Sequence, residues 1–362
     1  MFINAGTTPI TPQRAENWMN SKQIRPDRCL VTGATGFVGT ALCAYFDEQR
    51  QQQYVPLVRQ ARQATSLRAR WPQLAVGDLL DPRHVRQALE GCDAIIHLAH
   101  GGNGPQATRN LLQCARDSGA RRFIHISTMS VHGPRPGPEA TREETATIGR
   151  YDHDYSDSKA EQEEMVQQAH AKGELEATIL RPTIVYGPGS HFVLQVAEEA
   201  RTGVVSMFDH GSGICNAVYI DDLCRAIDAA LTSEKAVGEA MFINGEESIS
   251  WGEFIQAFAS LGAPHAELIN LSSLEAIRYW AEQRPAPSKT VLGRIVAKLK
   301  RSLASPPPPP SFPPLGRVER ETFPIFFSND KAKQLLDWSP QVDFSTGTAM
   351  TRAWFDSKGK PA

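Results

Sequence analysis

The chain has 362 residues, enough for two domains or for one large α/β domain with a smaller lobe. Its 38 Lys and Arg residues against 40 Asp and Glu residues give a formal net charge of -2, which excludes a general attraction to nucleic acid or to an anionic membrane. The 6 scattered cysteines include no CxxC pair and read as core residues in a reducing compartment, and no apolar run approaches the roughly eighteen residues of a membrane span. The sequence therefore predicts a cytoplasmic protein with no integral membrane segment, preceded by a flexible N-terminal extension at residues 1–27.

Residues 29–39 read CLVTGATGFVG, which predicts a strand, a glycine-rich turn and the start of a helix. Gly33 allows the sharp turn, Gly36 leaves room for a pyrophosphate, and Gly39 lets the helix lie close to the strand. The helix N-terminus offers free N–H groups and a positive dipole to the phosphates. The dinucleotide contacts predicted here are Gly33, Thr35, Gly36, Phe37, Val38 and Gly39.

The second predicted strand, residues 54–58, is followed by Arg59. In dinucleotide folds an acidic residue at this place binds the adenosine ribose hydroxyls, whereas a basic residue accommodates the extra phosphate of NADP. Because Arg59 has Arg62 nearby and no carboxylate, the sequence favours NADP, with NAD as the alternative. The competing interpretation is that Arg59 is a solvated residue at a strand end.

Further strands are predicted at residues 74–76, 93–99 and 122–127, separated by a helix that Asp81 caps and that runs to Leu89, and by a second helix at 107–118. The run DAIIHLA at 93–99 is typical of a strand buried on both faces of a parallel sheet. This alternation predicts an α/β fold, a Rossmann-type doubly wound parallel sheet that binds ligands at the carboxyl ends of its strands.

A helix predicted to open at Tyr155 carries Lys159 one turn later. Residues four apart share a helix face, so the phenol and the ammonium can point into one cleft. An adjacent ammonium and an oxidised nicotinamide favour the phenolate, so Tyr155 can take or give a hydroxyl proton while hydride moves. Tyr151 has no lysine four positions on, so only Tyr155 fits this spacing.

Six stretches read TGATGFVG, HLA, STMSVHG, YSDSK, LRPTIVYGPG at 180–189 and VYIDDL at 218–223. Together they resemble the extended short-chain dehydrogenase/reductase family, which includes NAD(P)-dependent epimerases, dehydratases and reductases. Residues 328–338 are similar to the C-terminal helix of that family. The resemblance implies that Thr128 orients the substrate oxygen, that Tyr155 is the acid/base, and that Lys159 binds the nicotinamide ribose.

The resemblance implies further contacts on both sides of the cleft. On the cofactor side it places Asp78 and Leu79 at the adenine, and Leu98, Ala99, His100, Pro182, Thr183 and Val185 along the rest of the dinucleotide. On the substrate side the candidates are Met129, Ser130, His132 and Asn216. For His132 the competing interpretation is a hydrogen-bonded residue at a strand end. The resemblance also suggests a homodimer through the helix that bears Lys159 and its neighbour. No cluster of histidines and carboxylates indicates a metal site.

Two departures from the family pattern bear on the substrate. Met129 and Ser130 follow Thr128 where dehydratases often place acidic residues, which disfavours dehydration. Cys215 and Asn216 stand where nucleotide-sugar members often carry an arginine, whose fork of donors suits a diphosphate. The arginines left to take that role are Arg225, Arg278 and Arg294.

The predicted Rossmann domain comprises residues 28–189 and 218–245, and the predicted substrate lobe comprises 190–217 and 246–362. Within the lobe, residues 289–304 predict a basic amphipathic helix that either packs on the core or lies on an anionic membrane as a peripheral contact. The proline-rich insertion at 305–316 is interpreted as a stiff spacer rather than as a ligand for a partner.

The sequence thus predicts an NADP-dependent oxidoreductase or epimerase that acts at a secondary alcohol or ketone carbon of a small molecule, by resemblance a sugar or nucleotide sugar. One alternative is a reductase of apolar carbonyl compounds, steroid-like or flavonoid-like, with Met129, Met207 and Phe208 as apolar lining. The other is a sensor or scaffold that binds the dinucleotide without turnover, and the complete set of acid/base groups argues against it.

Overall fold

The computed structural model describes residues 25–49, 52–283 and 312–357. Most of the predicted N-terminal extension, the amphipathic helix at 289–304 with Arg294, and the proline run at 305–311 lie outside these ranges. Within the described residues, no helix combines the length and the apolar character that crossing a membrane requires.

The strands of the described residues are short, and all of them belong to parallel or antiparallel ladders. In chain order they are β1 Arg28–Thr32, β2 Gln53–Val58, β3 Ala75–Val76, β4 Ala94–His97, β5 Arg122–Ile126, β6 Glu176–Pro182, β7 Ile184–Tyr186, β8 Val204–Phe208, β9 Ile214–Cys215, β10 Ala217–Tyr219, β11 Ala240–Ile243, β12 Ile249–Ser250 and β13 Glu267–Leu271.

The α-helices alternate with these strands in the first two thirds of the chain and predominate after it. In chain order they are α1 Phe37–Gln49, α2 Ala61–Leu67, α3 Pro82–Ala88, α4 Gly104–Ser118, α5 Asp154–Ala171, α6 His191–Arg201, α7 Ile220–Thr232, α8 Trp251–Gly262, α9 Ser273–Gln283, α10 Leu315–Thr322, α11 Asp330–Leu336 and α12 Phe344–Ser357.

Seven strands form one parallel sheet in the order β11-β6-β5-β4-β1-β2-β3. Successive residues of β1 enter two different cores: Cys29 and Val31 pack on the face covered by α1 and α7, and Leu30 packs on the face covered by α3, α4 and α5. Because β1 is apolar at every one of these positions, it is suited to burial on both faces. The predicted Rossmann-type doubly wound sheet is confirmed.

The predicted helix limits at Leu89 and Tyr155 differ from the structure by one residue, and the largest difference is at the start of α4. Helix α4 begins at Gly104, three residues before the predicted start, because the first turn already closes with a 3.0 Å bond from Ala107 N–H to Asn103 O, and Pro105 is tolerated in the first turn. The cap at Asp81 is confirmed, since its carboxylate accepts a 2.9 Å hydrogen bond from Arg83 N–H. All six cysteines are free and buried, as the sequence predicts.

A smaller layer of structure lies beyond the sheet and is built around α6 and α8. Strands β8 and β13 form a parallel pair beside it. Phe254 and Phe258 of α8 surround the ring of Tyr186, with both pairs of ring centroids 6.2 Å apart, and Phe344 packs on the same ring at 5.5 Å. This aromatic core fixes the smaller layer to the end of the central sheet.

The segment between α10 and α11 is tied back to the sheet by two buried carboxamides. Asn216 donates to Ile325 O at 2.8 Å and accepts from Phe327 N–H at 2.9 Å. Asn244 donates to Asn216 Oδ1 at 3.1 Å and to Phe327 O at 2.8 Å. These bonds hold an extended segment from the C-terminal part of the chain against the carboxyl edge of the sheet.

Candidate active site

A cleft of about 1050 Å³ opens at the carboxyl edge of the central sheet. The turn after β1, the ends of β2, β4, β5 and β6, the start of α5, and α10 all contribute to its lining. Ligands of doubly wound sheets bind at this edge. The predicted dinucleotide contacts and the predicted catalytic residues therefore share one cavity.

The glycine-rich turn has the shape that a pyrophosphate needs. Gly33 has a φ of +71°, and a Cβ on it would lie 2.7 Å from Ala99 N. A Cβ on Gly39 would collide with Gly33 O and lie 2.7 Å from Ala34 Cα, so this glycine sets the close approach of α1 to the turn. A Cβ on Gly36 would meet only Gly33 O, at 3.3 Å. The space beside Gly36 is thus free for phosphate at the N-terminus of α1.

The rest of the turn and the adenosine end of the cleft also lie where the sequence predicts. Thr35, Phe37 and Val38 line the cavity, as do Arg59, Asp78 and Leu79. The exposed Arg59 follows β2 directly, and the Asp78 carboxylate accepts a 3.0 Å bond from Leu80 N–H.

Leu98, Ala99 and His100 line the cleft immediately after β4. Ala99 N–H donates to the Thr32 hydroxyl at 3.2 Å, which links the ends of β1 and β4. The His100 ring packs edge-on against Tyr155, with ring centroids 4.8 Å apart, and burial lowers the His100 pKa. The neutral imidazole therefore forms one wall of the pocket around the phenol.

Tyr155 lies at the start of α5 and lines the cleft together with Thr128. Burial raises the pKa of Tyr155 above its ordinary value, and Thr128 partly opposes this shift. The Thr128 hydroxyl is held in turn by Ser130, whose N–H donates to it at 3.2 Å and whose Oγ lies 3.0 Å away. The structure thus brings the two hydroxyls that sequence reasoning singled out into one pocket, where Thr128 influences the pKa of Tyr155.

Lys159 is only 2% exposed and lies one turn after Tyr155 on α5. Its ammonium donates to Ile126 O at 2.7 Å, at the end of β5. Burial lowers the pKa of Lys159 to about 8, and the carboxylate of Glu163 opposes the shift. That carboxylate is itself occupied by Arg181, with a shortest N–O distance of 2.7 Å. Lys159 is therefore a fixed cation in the floor of the cleft.

Pro182, Thr183 and Val185 line the cleft after β6, as predicted. Thr183 N–H donates to Ile243 O at 3.1 Å, and the Thr183 hydroxyl donates to Asn244 Oδ1 at 2.9 Å. A contact from Thr183 to a nicotinamide therefore has to come from its carbonyl or its methyl group.

Two predicted substrate residues, His132 and Asn216, do not line the cleft in the structure. The His132 ring is 4% exposed, packs on Phe242 with centroids 5.2 Å apart, and lies 2.8 Å from Thr147 O through Nδ1. Asn216 is 1% exposed and uses both amide atoms to hold the C-terminal segment. Of the four predicted substrate contacts, Met129 and Ser130 line the cleft.

Of the apolar lining residues predicted for the alternative substrate class, Met207 and Phe208 do not line the cleft. Phe208 is 1% exposed and belongs to a separate core with Ala276 and Val318, and Met207 packs against the main core rather than the cleft. Arg225 pairs with Asp222, and neither it nor Arg278 is among the residues that line the cleft.

Residues 29–244 match the model of the NAD dependent epimerase/dehydratase family. The chain belongs to this family. The match confirms the resemblance to the extended short-chain dehydrogenases/reductases, and it identifies the protein as a nicotinamide-dependent enzyme of that type.

Proteins similar to this chain are named as several different enzymes. The chain is 28% identical over 360 residues to 2-alkyl-3-oxoalkanoate reductase of Stenotrophomonas maltophilia, which covers 90% of this chain and 98% of the relative. It is 25% identical over 362 residues to 3beta-hydroxysteroid-dehydrogenase/decarboxylase isoform 1 of Arabidopsis thaliana, covering 89% and 78%. A solved dTDP-glucose 4,6-dehydratase of Bacillus anthracis, in complex with NAD, superposes with a TM-score of 0.68 at 16% identity, covering 92% of this chain and 98% of that one. At that identity the likeness shows the fold.

Sequence reasoning missed several residues on the substrate side of the cleft. These lining residues are Phe192, Glu319, Arg320, Phe323 and Phe327. The sequence signal was the apolar run FPIFF at 323–327, in which the structure buries residues 323, 325 and 327. An apolar run does not reveal which surface the segment packs on.

Proposed function

We propose that this family member reduces an apolar ketone to a secondary alcohol with NADPH. The observation that carries the proposal is that Tyr155, Thr128 and Lys159 line the same cleft as the glycine-rich turn. A binding module has no need of a buried phenol and a second hydroxyl beside its dinucleotide site. A sensor without turnover is therefore the weaker interpretation.

The residues suit proton donation to a ketone oxygen. The nicotinamide, when bound, supplies the hydride. The raised pKa keeps the proton on Tyr155 at neutral pH, ready for transfer to the oxygen as negative charge develops there. Thr128 is placed to hydrogen-bond the same oxygen, and the fixed ammonium of Lys159 stabilises the phenolate that remains.

The substrate side of the cleft supports an apolar ligand. Phe192, Phe323 and Phe327 line it together with Met129, and the main cationic group on that side is Arg320. The names of two relatives, an oxoalkanoate reductase and a hydroxysteroid dehydrogenase, also fit an apolar ketone or alcohol. The apolar alternative predicted from sequence thus becomes the favoured one, although its lining residues differ from those predicted.

The choice of NADP over NAD is part of the proposal. Arg59 is exposed, follows β2 and lines the cleft, and a guanidinium there can bind the 2'-phosphate of NADP. Solved structures of the same fold contain NAD, for example the dehydratase of Bacillus anthracis.

Oxidation and re-reduction of a nucleotide sugar, as in an epimerase, is the second candidate. Arg320 favours it, because an arginine that faces the substrate side can bind a phosphate as well as another anion. The two candidates differ in cofactor handling: an epimerase retains its nicotinamide between half-reactions, whereas a reductase releases it.

Purified protein is assayed for NADPH consumption with 2-alkyl-3-oxo compounds and for NAD(P)-dependent conversion of UDP- and dTDP-sugars. We expect turnover of the apolar ketones, loss of at least about a thousandfold in kcat for Tyr155→Phe, and NADPH affinity within a few fold of the parent. Tyr151→Phe is the matched control, because Tyr151 lies close in sequence but does not line the cleft. Parental turnover by Tyr155→Phe, or conversion of sugars alone, would contradict the proposal.

The proposal also includes the location, assembly and domain division of the protein. It is cytoplasmic, it forms a homodimer through α4 and α5, and it divides into a Rossmann domain and a substrate lobe at the predicted boundaries. Helices α4 and α5 pack side by side and present exposed positions such as Arg109 and Glu161, 3.9 Å apart. Sedimentation of the purified protein tests the dimer.

A further inference from the structure

Arg320 is a cation built into the substrate side of the cleft. It lies on α10, and its guanidinium carbon is 5.2 Å from the ring centroid of Trp251 and 5.3 Å from that of Phe192. The backbone at Arg320 is also fixed, because its carbonyl accepts a 3.1 Å bond from Trp251 Nε1. Two aromatic faces and one backbone bond thus hold the guanidinium in a defined position.

The donors of Arg320 are only partly used. Nη2 donates to Glu321 Oε1 at 3.2 Å. Nε is enclosed without a hydrogen-bond partner, and Nη1 has none in the described part of the chain. Burial lowers the pKa of Arg320, and the carboxylate of Glu321 opposes the shift.

The neighbouring charges do not satisfy Arg320. Arg317 takes most of the acidic partners, with Glu199 at 2.6 Å and Glu321 at 2.8 Å, and Arg317 points into the lobe rather than the cleft. Glu321 therefore serves two arginines through the same oxygen. A guanidinium with free donors beside an apolar cavity is suited to a carboxylate, which can accept two parallel bonds from it.

The charge of the expected ligand follows from the other ionic groups that line the cleft. Among the described residues these are Arg59 at the adenosine end, Lys159 beneath Tyr155, Asp78, and Glu319 beside Arg320. Glu319 is paired with Arg135, at 3.9 Å, which leaves Arg320 as the arginine available to a ligand on this side of the cleft. A single guanidinium suits a single negative charge better than the two charges of a diphosphate. The aromatic lining suits apolar chains attached to that charge.

We propose that Arg320 binds the carboxylate of the substrate, so that the ligand is a keto acid with apolar chains and not a neutral ketone. This inference rests on the proposed function and deepens it by naming the substrate class. Arg320 is then the residue that distinguishes acid from ester, while Tyr155 and Thr128 act at the ketone oxygen.

The test compares a 2-alkyl-3-hydroxyalkanoic acid with its methyl ester in the NADP-dependent oxidation direction, because 3-oxo acids lose carbon dioxide on storage. We expect the wild-type protein to prefer the acid by about 10- to 100-fold in kcat/KM, the range for a hydrogen-bonded ion pair. In Arg320→Met the ratio falls towards 1 through a higher KM for the acid. Arg320→Lys keeps the positive charge but loses the planar pair of guanidinium donors, so its acid-to-ester ratio lies between those of the wild type and Arg320→Met.

Two control variants separate a local effect from a change in overall charge. Arg352→Met removes a lobe arginine that bonds Ser260 and Ala257 O away from the cleft, so it keeps the wild-type ratio. Glu319→Gln removes the negative charge beside Arg320 and raises the ratio a few fold. If Arg320→Met does not fold, Arg320→Lys and the wild-type ratio still decide the question.

Equal use of acid and ester by the wild type, or an unchanged ratio in Arg320→Met, overturns the inference and leaves the reductase proposal intact. Turnover of neither compound contradicts the proposed function. The same pair is then compared as ligands by thermal shift in the presence of NADPH. Stabilisation of the wild type by the acid, absent in Arg320→Met, supports Arg320 as a carboxylate site. Stabilisation by UDP instead identifies a diphosphate site and overturns it.

Discussion

Lys159 offers the sharpest test of the site's electrostatics, because it is an ionisable group that is almost fully buried in the cleft. In the cofactor-free protein burial lowers its pKa from 10.5 to about 8. Between these two values the unfolded chain binds a proton that the folded chain does not, so stability rises with pH. The penalty is fully present below about pH 8 and disappears as the pH rises through 10.5. The gap between the two values corresponds to about 3 kcal/mol.

The substitution Lys159→Met removes this penalty while keeping a long side chain. We expect the stability of the variant relative to wild type to be greater at pH 7 than at pH 10, by about 2.5 kcal/mol in the free energy of unfolding. The lost bond to Ile126 O weighs equally at both pH values and cancels in this comparison. Activity is expected to fall sharply, because the ammonium no longer stabilises the phenolate of Tyr155.

The assay is urea unfolding of the cofactor-free protein, followed by circular dichroism at both pH values. Lys235→Met serves as control, because Lys235 is exposed and its substitution removes one positive charge in the same way. A stability difference between wild type and Lys159→Met that is the same at pH 7 and pH 10, within about 0.5 kcal/mol, would refute the reasoning.

Three further predictions test the cofactor site and the lobe. Arg59→Glu lowers affinity for NADPH at least about tenfold more than affinity for NADH, measured by fluorescence titration, and equal losses would contradict a phosphate contact. Gly36→Ala leaves the melting temperature nearly unchanged but weakens NADPH binding, whereas Gly39→Ala destabilises the fold by about 1–3 kcal/mol, because the new methyl group of the first variant meets one backbone oxygen at 3.3 Å and that of the second lies within 2.9 Å of three backbone atoms. Asn216→Leu leaves two buried backbone groups unpaired and lowers the free energy of unfolding by about 2–5 kcal/mol; a selective rise in substrate KM without destabilisation would show instead that Asn216 contacts substrate.

The sheet and the catalytic pair could be predicted because each depends on residues close in sequence. Gly33, Gly36 and Gly39 lie within one turn, and Tyr155 and Lys159 lie one helical turn apart. Their neighbours in space follow from the rule that parallel strands end at one edge of the sheet. The same local logic failed at His132, which follows Thr128 closely but turns into a core with Phe242.

The substrate side could not be predicted, because its residues come from places far apart in the chain. Phe192 belongs to α6, and Arg320 and Phe327 follow a proline-rich stretch more than a hundred residues later. Their position depends on the bonds of Asn216 and Asn244 to the C-terminal segment, which are long-range contacts with no periodic signature. Asn216 was therefore noticed for its position in a family pattern, and its bonds to the C-terminal segment could not be foreseen.

This division between the two sides of the cleft bears on how the substrate specificity of such a protein can change. The groups that act on the ketone oxygen are anchored in the sheet and in α5, whereas Arg320 and Phe323 are carried by a segment that the sheet holds through backbone carbonyls and amides. Backbone bonds of this kind do not depend on the side chains that the segment presents to the cleft. Substitutions at those cleft-facing positions can therefore change the ligand without moving Tyr155 or Thr128. On this reasoning, relatives with one catalytic pair and different substrates are expected to differ most in the stretch that corresponds to residues 316–327.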